Sequence, residues 1–448
     1  MKCLIIAAGK GTRIRNKGPC KPLVPILGVP LIERIIRSVI EAGIRDIYVV
    51  VGYNGDKLRE FLKRLQIKIG QEIHIIENPQ WDKENAISVL KAREYIRDNF
   101  ILVMGDHLFD PQILNEIKDY PLQEDMVLLV VDRNLDNPYI DLRDVTKVEC
   151  QDNRLISIGK DIDRFNAYDT GIFLCSPSIF SHIQEAVSET GNTTLSSVIR
   201  YMAERGKVFT YDMGKRYWID VDDEEALLKA ERLILEDLSS KQSDGPISRY
   251  INRPISLRIS KHICNWPITP NQITLFSFFL SLCGSAIILL GTYLYLLLGA
   301  ILAQLGSIID GCDGEIARIK YQRSEYGAWL DAVLDRYQDG FLIFSLTYYG
   351  TLSNPSFFTF LIGFMALIGS YMVSYTAHKY DRIKKEEGLP FKFRIGRDIR
   401  IFLIFVFSIL NQVIWALIAI AILMNLETAR RIWIMRDQGW DMKRYGGR

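Results

Sequence analysis

No two of the seven cysteines are spaced as CxxC, and no histidine partners them at zinc-site spacing. That excludes a zinc staple and gives no disulfide framework, so the cysteines read as reduced small hydrophobes. No secretory leader is expected either. The opening MKCLIIAAGKG has one lysine ahead of an apolar run that passes straight into glycines. Such a run is a buried strand, far too short to span a bilayer. The glycines match neither the dinucleotide fingerprint nor a Walker A loop. Charge of one sign is also lacking: 55 Lys and Arg face 53 Asp and Glu, a net +2, and nothing points to a nucleic-acid partner.

What is present divides in two. The length of 448 residues suits two or three domains. Residues 1–250 have the texture of a soluble α/β protein, and the last 180 or so hold repeated apolar runs of spanning length. The 48% hydrophobic content therefore averages two solvents. We expect an α/β domain over 1–238, Rossmann-like with a mixed, mostly parallel sheet. A linker and juxtamembrane helix follow over 239–269, then an all-α transmembrane domain over 270–448.

In the soluble half, strands are expected at 2–8, 47–51, 73–77, 101–104, 126–131 and 170–175, with helices at 31–42 and 56–65. The first strand ends in Ala7-Ala8-Gly9-Lys10-Gly11-Thr12-Arg13, and Lys21-Pro22 comes shortly after. Glycines admit a phosphate close to backbone N–H groups. Arg13 and Lys21 suit a triphosphate and a departing pyrophosphate. Asp106 ends a strand, where open α/β sheets bind ligands. Asp220 follows Trp218, and Asp222 is its rival as a second carboxylate for Mg²⁺.

These residues resemble the sugar-nucleotide pyrophosphorylase family over 1–230. The resemblance rests on Gly9, Gly11, Thr12, Arg13 and Lys21, on Asp106, on Trp218 with Asp220, and on Asp169-Thr170-Gly171. It implies that Ala7, Ala8, Gly9, Gly11, Thr12, Arg13 and Lys21 bind nucleotide, Arg13 and Lys21 also serving catalysis. Asp106 and Asp220 would ligate the metal, and 169–171 would hold the acceptor. A phosphate oxygen of that acceptor would attack the α-phosphorus, releasing pyrophosphate. Asp220 is followed here by Val-Asp-Asp where many members have Thr-Gly-Thr.

After a charged helical stretch at 222–237, residues 239–248 read as the domain break. Basic and apolar residues then alternate over 249–263, an amphipathic helix suited to a membrane surface or to a soluble connection. Six spans are expected, at 271–293, 295–317, 327–349, 355–377, 398–412 and 414–430. Asn411-Gln412 is the sole break between the last two, so five stay open. Residues 379–397 and the tail after Arg430 are basic, whereas the turns near 292, 350–356 and 411 carry no Lys or Arg. The positive-inside rule puts both termini in the cytoplasm of a multi-pass membrane protein.

The densest chemistry lies at 310–335. Asp310, Asp313, Gly314, Ala317 and Arg318 are followed after eight residues by Gly327, Asp331 and Asp335. Asp310 and Asp313 share one helix face, and Asp331 and Asp335 share another. Ionisable groups so near hydrocarbon are costly and functional. Four carboxylates repel unless cations join them, and two divalent metals would grip a diphosphate.

This spacing resembles the CDP-alcohol phosphotransferase family at every specified position. The resemblance implies Asp310, Asp313 and Asp331 as metal ligands, and Asp335 as a second-metal ligand or the base toward the attacking hydroxyl. Gly314 and Gly327 would leave room for the cytidine end of the donor, and Arg318 would support its phosphate or the helix pair. Mg²⁺ is the implied cofactor, with Mn²⁺ an alternative at the transmembrane site.

Taken whole, residues 1–448 resemble the bifunctional enzymes of di-inositol phosphate synthesis in archaea and thermophiles. The resemblance implies CTP, inositol 1-phosphate and CDP-inositol as partners, a lipid bilayer around the second half, and a homodimer through that half. Three other readings stay open on the residues. The membrane half could make a phospholipid head group. The first domain could use choline or glycerol phosphate. Lastly, a transporter or scaffold could carry a nucleotide-binding domain.

Overall fold

The computed structural model describes residues 1–239, 245–386 and 396–437. Parts of the expected domain break (240–244), of the basic loop (387–395) and of the basic tail (438–448) lie outside the described residues. The chain divides into two compact units, Met1–Leu233 and Ile234–Arg448.

The first unit is built on a nine-stranded sheet. In spatial order its strands are Ile73–Glu77, Asp46–Val51, Lys2–Ala7, Phe100–Met104, Ala167–Cys175, Val127–Asp132, Val208–Asp212, Arg154–Gly159 and Lys147–Gln151. The first four are parallel, and the apolar runs of Asp46–Val51, Lys2–Ala7 and Phe100–Met104 are buried on both faces. Ala167–Cys175 then runs antiparallel to both neighbours. Only four of the eight neighbouring pairs are parallel, so the sheet is mixed and less parallel than the sequence suggests. The difference comes largely from Lys147–Gln151 and Arg154–Gly159, a hairpin absent from the expected strands. Its turn residues Asp152 and Asn153 both take positive φ, 48° and 61°, the conformation these residue types favour in tight hairpins.

The expected helices form. Leu31–Glu41 buries Leu31, Ile32, Ile35, Ile36 and Val39, spaced three and four apart on one face. Gly55–Ile69 runs four residues past the expected end and stops where Gly70 takes φ 63°.

The second unit is helical. Arg253–Ile263 precedes six helices: Pro270–Ile288, Tyr293–Ile319, Glu325–Ser353, Phe357–Glu386, Arg397–Ile409 and Val413–Asp437. Among the described residues four of them are long and apolar enough to cross a membrane. Glu325–Ser353 carries Asp331, Asp335, Arg336 and Asp339 in its first half and Tyr348, Tyr349 and Thr351 in its last turns, and is too polar to qualify. Arg397–Ile409 has 13 residues, short of the roughly 20 a crossing needs. Asn411, at φ 54°, separates it from the last helix.

Small residues set the approach of the first two long helices. A Cβ on Gly299 would lie 2.5 Å from the Gly284 carbonyl oxygen, and one on Gly306 would lie 2.2 Å from Ser281 Oγ. This contact brings Thr274 and Ser277 alongside Asp313 and Asp310.

Candidate active sites

The soluble site forms at the carboxyl end of strands Lys2–Ala7 and Phe100–Met104. Beyond the first strand, Gly11 takes φ 56°, and a Cβ there would meet Lys21 Cβ at 2.3 Å. The missing side chain lets Lys21 fold inward, where it is 7% exposed. Its Nζ lies 2.7 Å from Asp106 Oδ2 and 3.6 Å from Asp220 Oδ1, and it also pairs with Asp222. Asp220 arrives from 114 residues further along the chain because Trp218–Asp220 pairs antiparallel with His107–Phe109, which sets Asp220 opposite His107. Asp106, His107 and Asp220 thereby offer three ligand atoms within 4.8 Å of one another. Asp222 stays outside that set and pairs with Lys21 and Arg13.

The cluster is strongly polarised. Burial disfavours charge on every member, but opposite charges outweigh it at three. Asp106 is held well below the usual carboxylate range by Lys21 and His107. His107 is raised to about 9 by Asp220 and Asp106, and Lys21 is held above the usual lysine range by its three carboxylates. At Asp220 burial wins, with repulsion from Asp106 and Asp222, and pushes it up to about 6 against His107 and Lys21.

Two clefts meet here. One, of about 650 Å³, is lined by Ala7, Gly9, Gly11, Thr12, Lys21 and Asp106, among others. Ala8 is 2% exposed and packs inward, its carbonyl accepting the Tyr53 N–H. The other, of about 500 Å³, includes His107, Lys160, Asp169, Gly171, Asp220 and Lys229. Arg13 and Asp222 line both. Burial pushes Asp169 up to about 6, opposed by the Gly171 N–H and by His107. Thr170 is turned away, its hydroxyl donating to the Val130 carbonyl.

Several residues here escaped the sequence argument. Asp144 ties together Arg13 and Lys160, the latter at 2.5 Å. Buried Asp132 accepts the Trp218 indole N–H at 3.0 Å and so fixes the strand that carries Asp220. His107 stood in view beside Asp106, but no spacing rule marked it.

The membrane unit holds a second acidic site. Asp310, Asp313 and Asp331 offer ligand atoms within 4.8 Å of one another. Thr274 donates to Asp313 at 2.5 Å and Ser277 to Asp310 at 2.9 Å. Asp335 stands apart from that trio. Arg397 Nη1 lies 2.5 Å from its Oδ1, outside hydrogen-bond geometry, and donates to Asp310 at 2.9 Å. Arg397 also bonds Gln338, while Asp339 pairs with Arg400. A Cβ on Gly314 would meet nothing within 4 Å, whereas one on Gly327 would come 3.0 Å from Ser324 Oγ and 3.1 Å from Asn271 Oδ1. Arg318 Nε donates to the Gly314 carbonyl one turn back.

Glu315 is a fully buried residue inside the acidic pattern. It accepts from Ser256 at 2.5 Å and Ser260 at 2.6 Å, and Arg253 stands at 3.5 Å. The Arg253–Ile263 helix is thus docked on the helix that bears Asp310 and Asp313. Replacing Glu315 with Leu strands those partners. An ångström-scale shift of reacting groups costs about 100-fold in rate, the loss expected in turnover at this centre. Turnover at the centre of the first unit, in the same preparation, should be unchanged, and Glu315→Gln should recover part of the lost turnover. Equal loss of both activities would mean general misfolding.

Comparison with known proteins agrees with this division. Residues 3–203 match the MobA-like NTP transferase domain, and residues 267–426 match the CDP-alcohol phosphatidyltransferase family. With the four spanning-length helices among the described residues, that second match makes this a membrane protein. A bifunctional IPC transferase and DIPP synthase of Aquifex aeolicus is 32% identical over 96% of this chain and 97% of its own. The protein of that name from Archaeoglobus fulgidus is 34% identical over 92% and 79%. A solved inositol-1-phosphate CTP transferase from T. maritima is 27% identical, covers 52% of this chain and 94% of its own, and has a TM-score of 0.46.

Proposed function

The chain belongs to the family of bifunctional IPC transferases and DIPP synthases, and from that membership we propose two successive reactions. The first unit joins CTP and inositol 1-phosphate to give CDP-inositol and pyrophosphate. The second transfers phosphoinositol from CDP-inositol to another inositol 1-phosphate, releasing CMP and a phosphorylated di-inositol phosphate. The observation that carries this is the presence of two separate carboxylate centres, each within its own unit, in a chain aligned end to end with its relatives.

Both centres fit divalent cations. Asp220 Oδ1 and Asp331 Oδ1 are buried and receive no hydrogen bond, as expected of oxygens reserved for a cation. In this reading Asp106 and Asp220 hold Mg²⁺ in the first unit, and Asp310, Asp313 and Asp331 hold it in the second. The bound cation offsets phosphate charge and polarises the phosphorus under attack. Lys21 and Arg13 draw the triphosphate into the glycine-lined cleft and balance the leaving pyrophosphate, while Asp169 and Gly171 border the acceptor cleft. In the second unit Gly314 leaves room for the donor. Asp335 takes the proton of the attacking hydroxyl once Arg397 turns away from it. All six helices from Pro270–Ile288 to Val413–Asp437 enter the bilayer in this reading, the 13-residue Arg397–Ile409 as a short fifth span, with the first unit and the C-terminus in the cytoplasm, and two copies pair through them. The basic residues at 379–397 and the absence of Lys and Arg near 292, 350–356 and 411 support that orientation.

The test supplies radiolabelled CTP with inositol 1-phosphate, choline phosphate or glycerol phosphate to the purified full chain, and weighs the products. Labelled CDP-inositol should appear and then be consumed as CMP forms. A solvent-extractable lipid product, or equal use of all three phosphates, would sink the assignment.

A further inference from the structure

We propose that His107 is a nitrogen ligand to the cation of the soluble centre, so that the two centres of this chain differ in metal preference. The proposal rests on the cation-dependent reading of that centre. His107 Nδ1 lies 2.7 Å from Asp106 Oδ1 and 3.8 Å from Asp220 Oδ1, facing the two oxygens between which a cation would sit.

The ring is held in that attitude from two sides. It stacks on Trp218 at 5.8 Å and 10°, and the Trp218 indole is anchored on buried Asp132. On its other edge Gly171 takes φ 70°, and a Cβ there would approach the ring Cδ2 and Nε2 at 3.1 Å and Met104 Cγ at 2.7 Å. The glycine of the 169–171 stretch therefore keeps open the space that the imidazole fills. Asp220 Oδ1, directly before the ring nitrogen, is buried without a donor. Lys21 Nζ stands 3.6 Å from that oxygen, so a cation held there lies within reach of the ring nitrogen as well as of both carboxylates.

Among the described residues, the membrane centre offers carboxylate oxygens alone, from Asp310, Asp313 and Asp331. Imidazole favours later first-row cations such as Co²⁺, whereas an all-oxygen set suits Mg²⁺, Ca²⁺ and Mn²⁺. Co²⁺ should therefore sustain pyrophosphate release better, relative to Mg²⁺, than it sustains CMP release.

The direct test is pulsed electron spin resonance of Mn²⁺ bound to the full chain. Nitrogen hyperfine coupling is expected, and it should change to the ¹⁵N pattern in protein grown on ¹⁵N-histidine, which needs no variant. His107→Gln should remove the coupling and weaken Co²⁺ binding about tenfold or more, at the low end for disturbed metal sites. CMP release by that variant, at the other centre, should be unaffected. A coupling that survives ¹⁵N-histidine belongs to another group and overturns the proposal. So does a bound Mn²⁺ with no nitrogen coupling while pyrophosphate release is intact, which leaves cation-dependent cytidylyl transfer standing. Pyrophosphate release that persists after complete chelation overturns both.

Discussion

Replacing Asp106 with Ala is expected to lower CTP-dependent pyrophosphate release by on the order of 1,000-fold, the scale of losing a main electrostatic stabiliser of a transition state. Two effects add. The cation loses its anchor at the strand end, and Lys21 loses the carboxylate oxygen 2.7 Å away, which fixes its ammonium beside the glycine-lined cleft. His107 loses its 2.7 Å partner as well. The second reaction uses residues at 274–397, all in the other unit, so supplied CDP-inositol should still be consumed at the normal rate. Both activities are measured on one preparation, as pyrophosphate from CTP and as CMP from CDP-inositol. Normal pyrophosphate release by the variant would remove Asp106 from the centre.

The second large effect is expected at Asp335. Changing it to Asn keeps the shape and removes most of the basicity, so CMP-forming turnover should fall about 100-fold or more while donor binding is largely retained. Asp331→Asn should instead weaken cation-dependent donor binding, since Asp331 belongs to the trio of converging carboxylates and Asp335 does not. The position of Arg397 sharpens the contrast. It lies 2.5 Å from Asp335 Oδ1 and also contacts Asp310 and Asp339, so it already supplies a positive charge on that side of the centre. Donor affinity and turnover of both variants across a Mg²⁺ titration separate the roles. Full recovery of Asp335→Asn in excess Mg²⁺ would make Asp335 a ligand and nothing more.

How much of this was legible depended on distance along the chain. The 310–335 pattern is local, and helical geometry alone predicts that Asp310 and Asp313 share a face, as Asp331 and Asp335 do. Gly11 and Lys21 were legible as a phosphate loop, but not the contact that makes the glycine necessary. The meeting of Asp106 with Asp220 was beyond any local rule, because it depends on a three-residue strand pairing across more than a hundred positions. Arg397 entered the membrane centre from a helix whose opening reads as ordinary basic sequence. Glu315 occupies a variable place in the acidic pattern, and only the docked helix reveals what it does. The hairpin around Asp152 and Asn153 did carry a turn signal, and Lys147–Gln151 alternates polar and apolar residues, but its strands hold too few apolar residues to stand out beside the buried parallel ones.

The glycine contacts between Pro270–Ile288 and Tyr293–Ile319 also bear on heat. Helices separated by long side chains have rotamers to release as temperature rises, and their spacing softens with that entropy. Where Gly284 and Gly299 close the seam, each meets the carbonyl oxygen of the other, so that contact has few rotamers to release. The Ser277–Asp310 spacing is accordingly expected to change little as the protein is warmed.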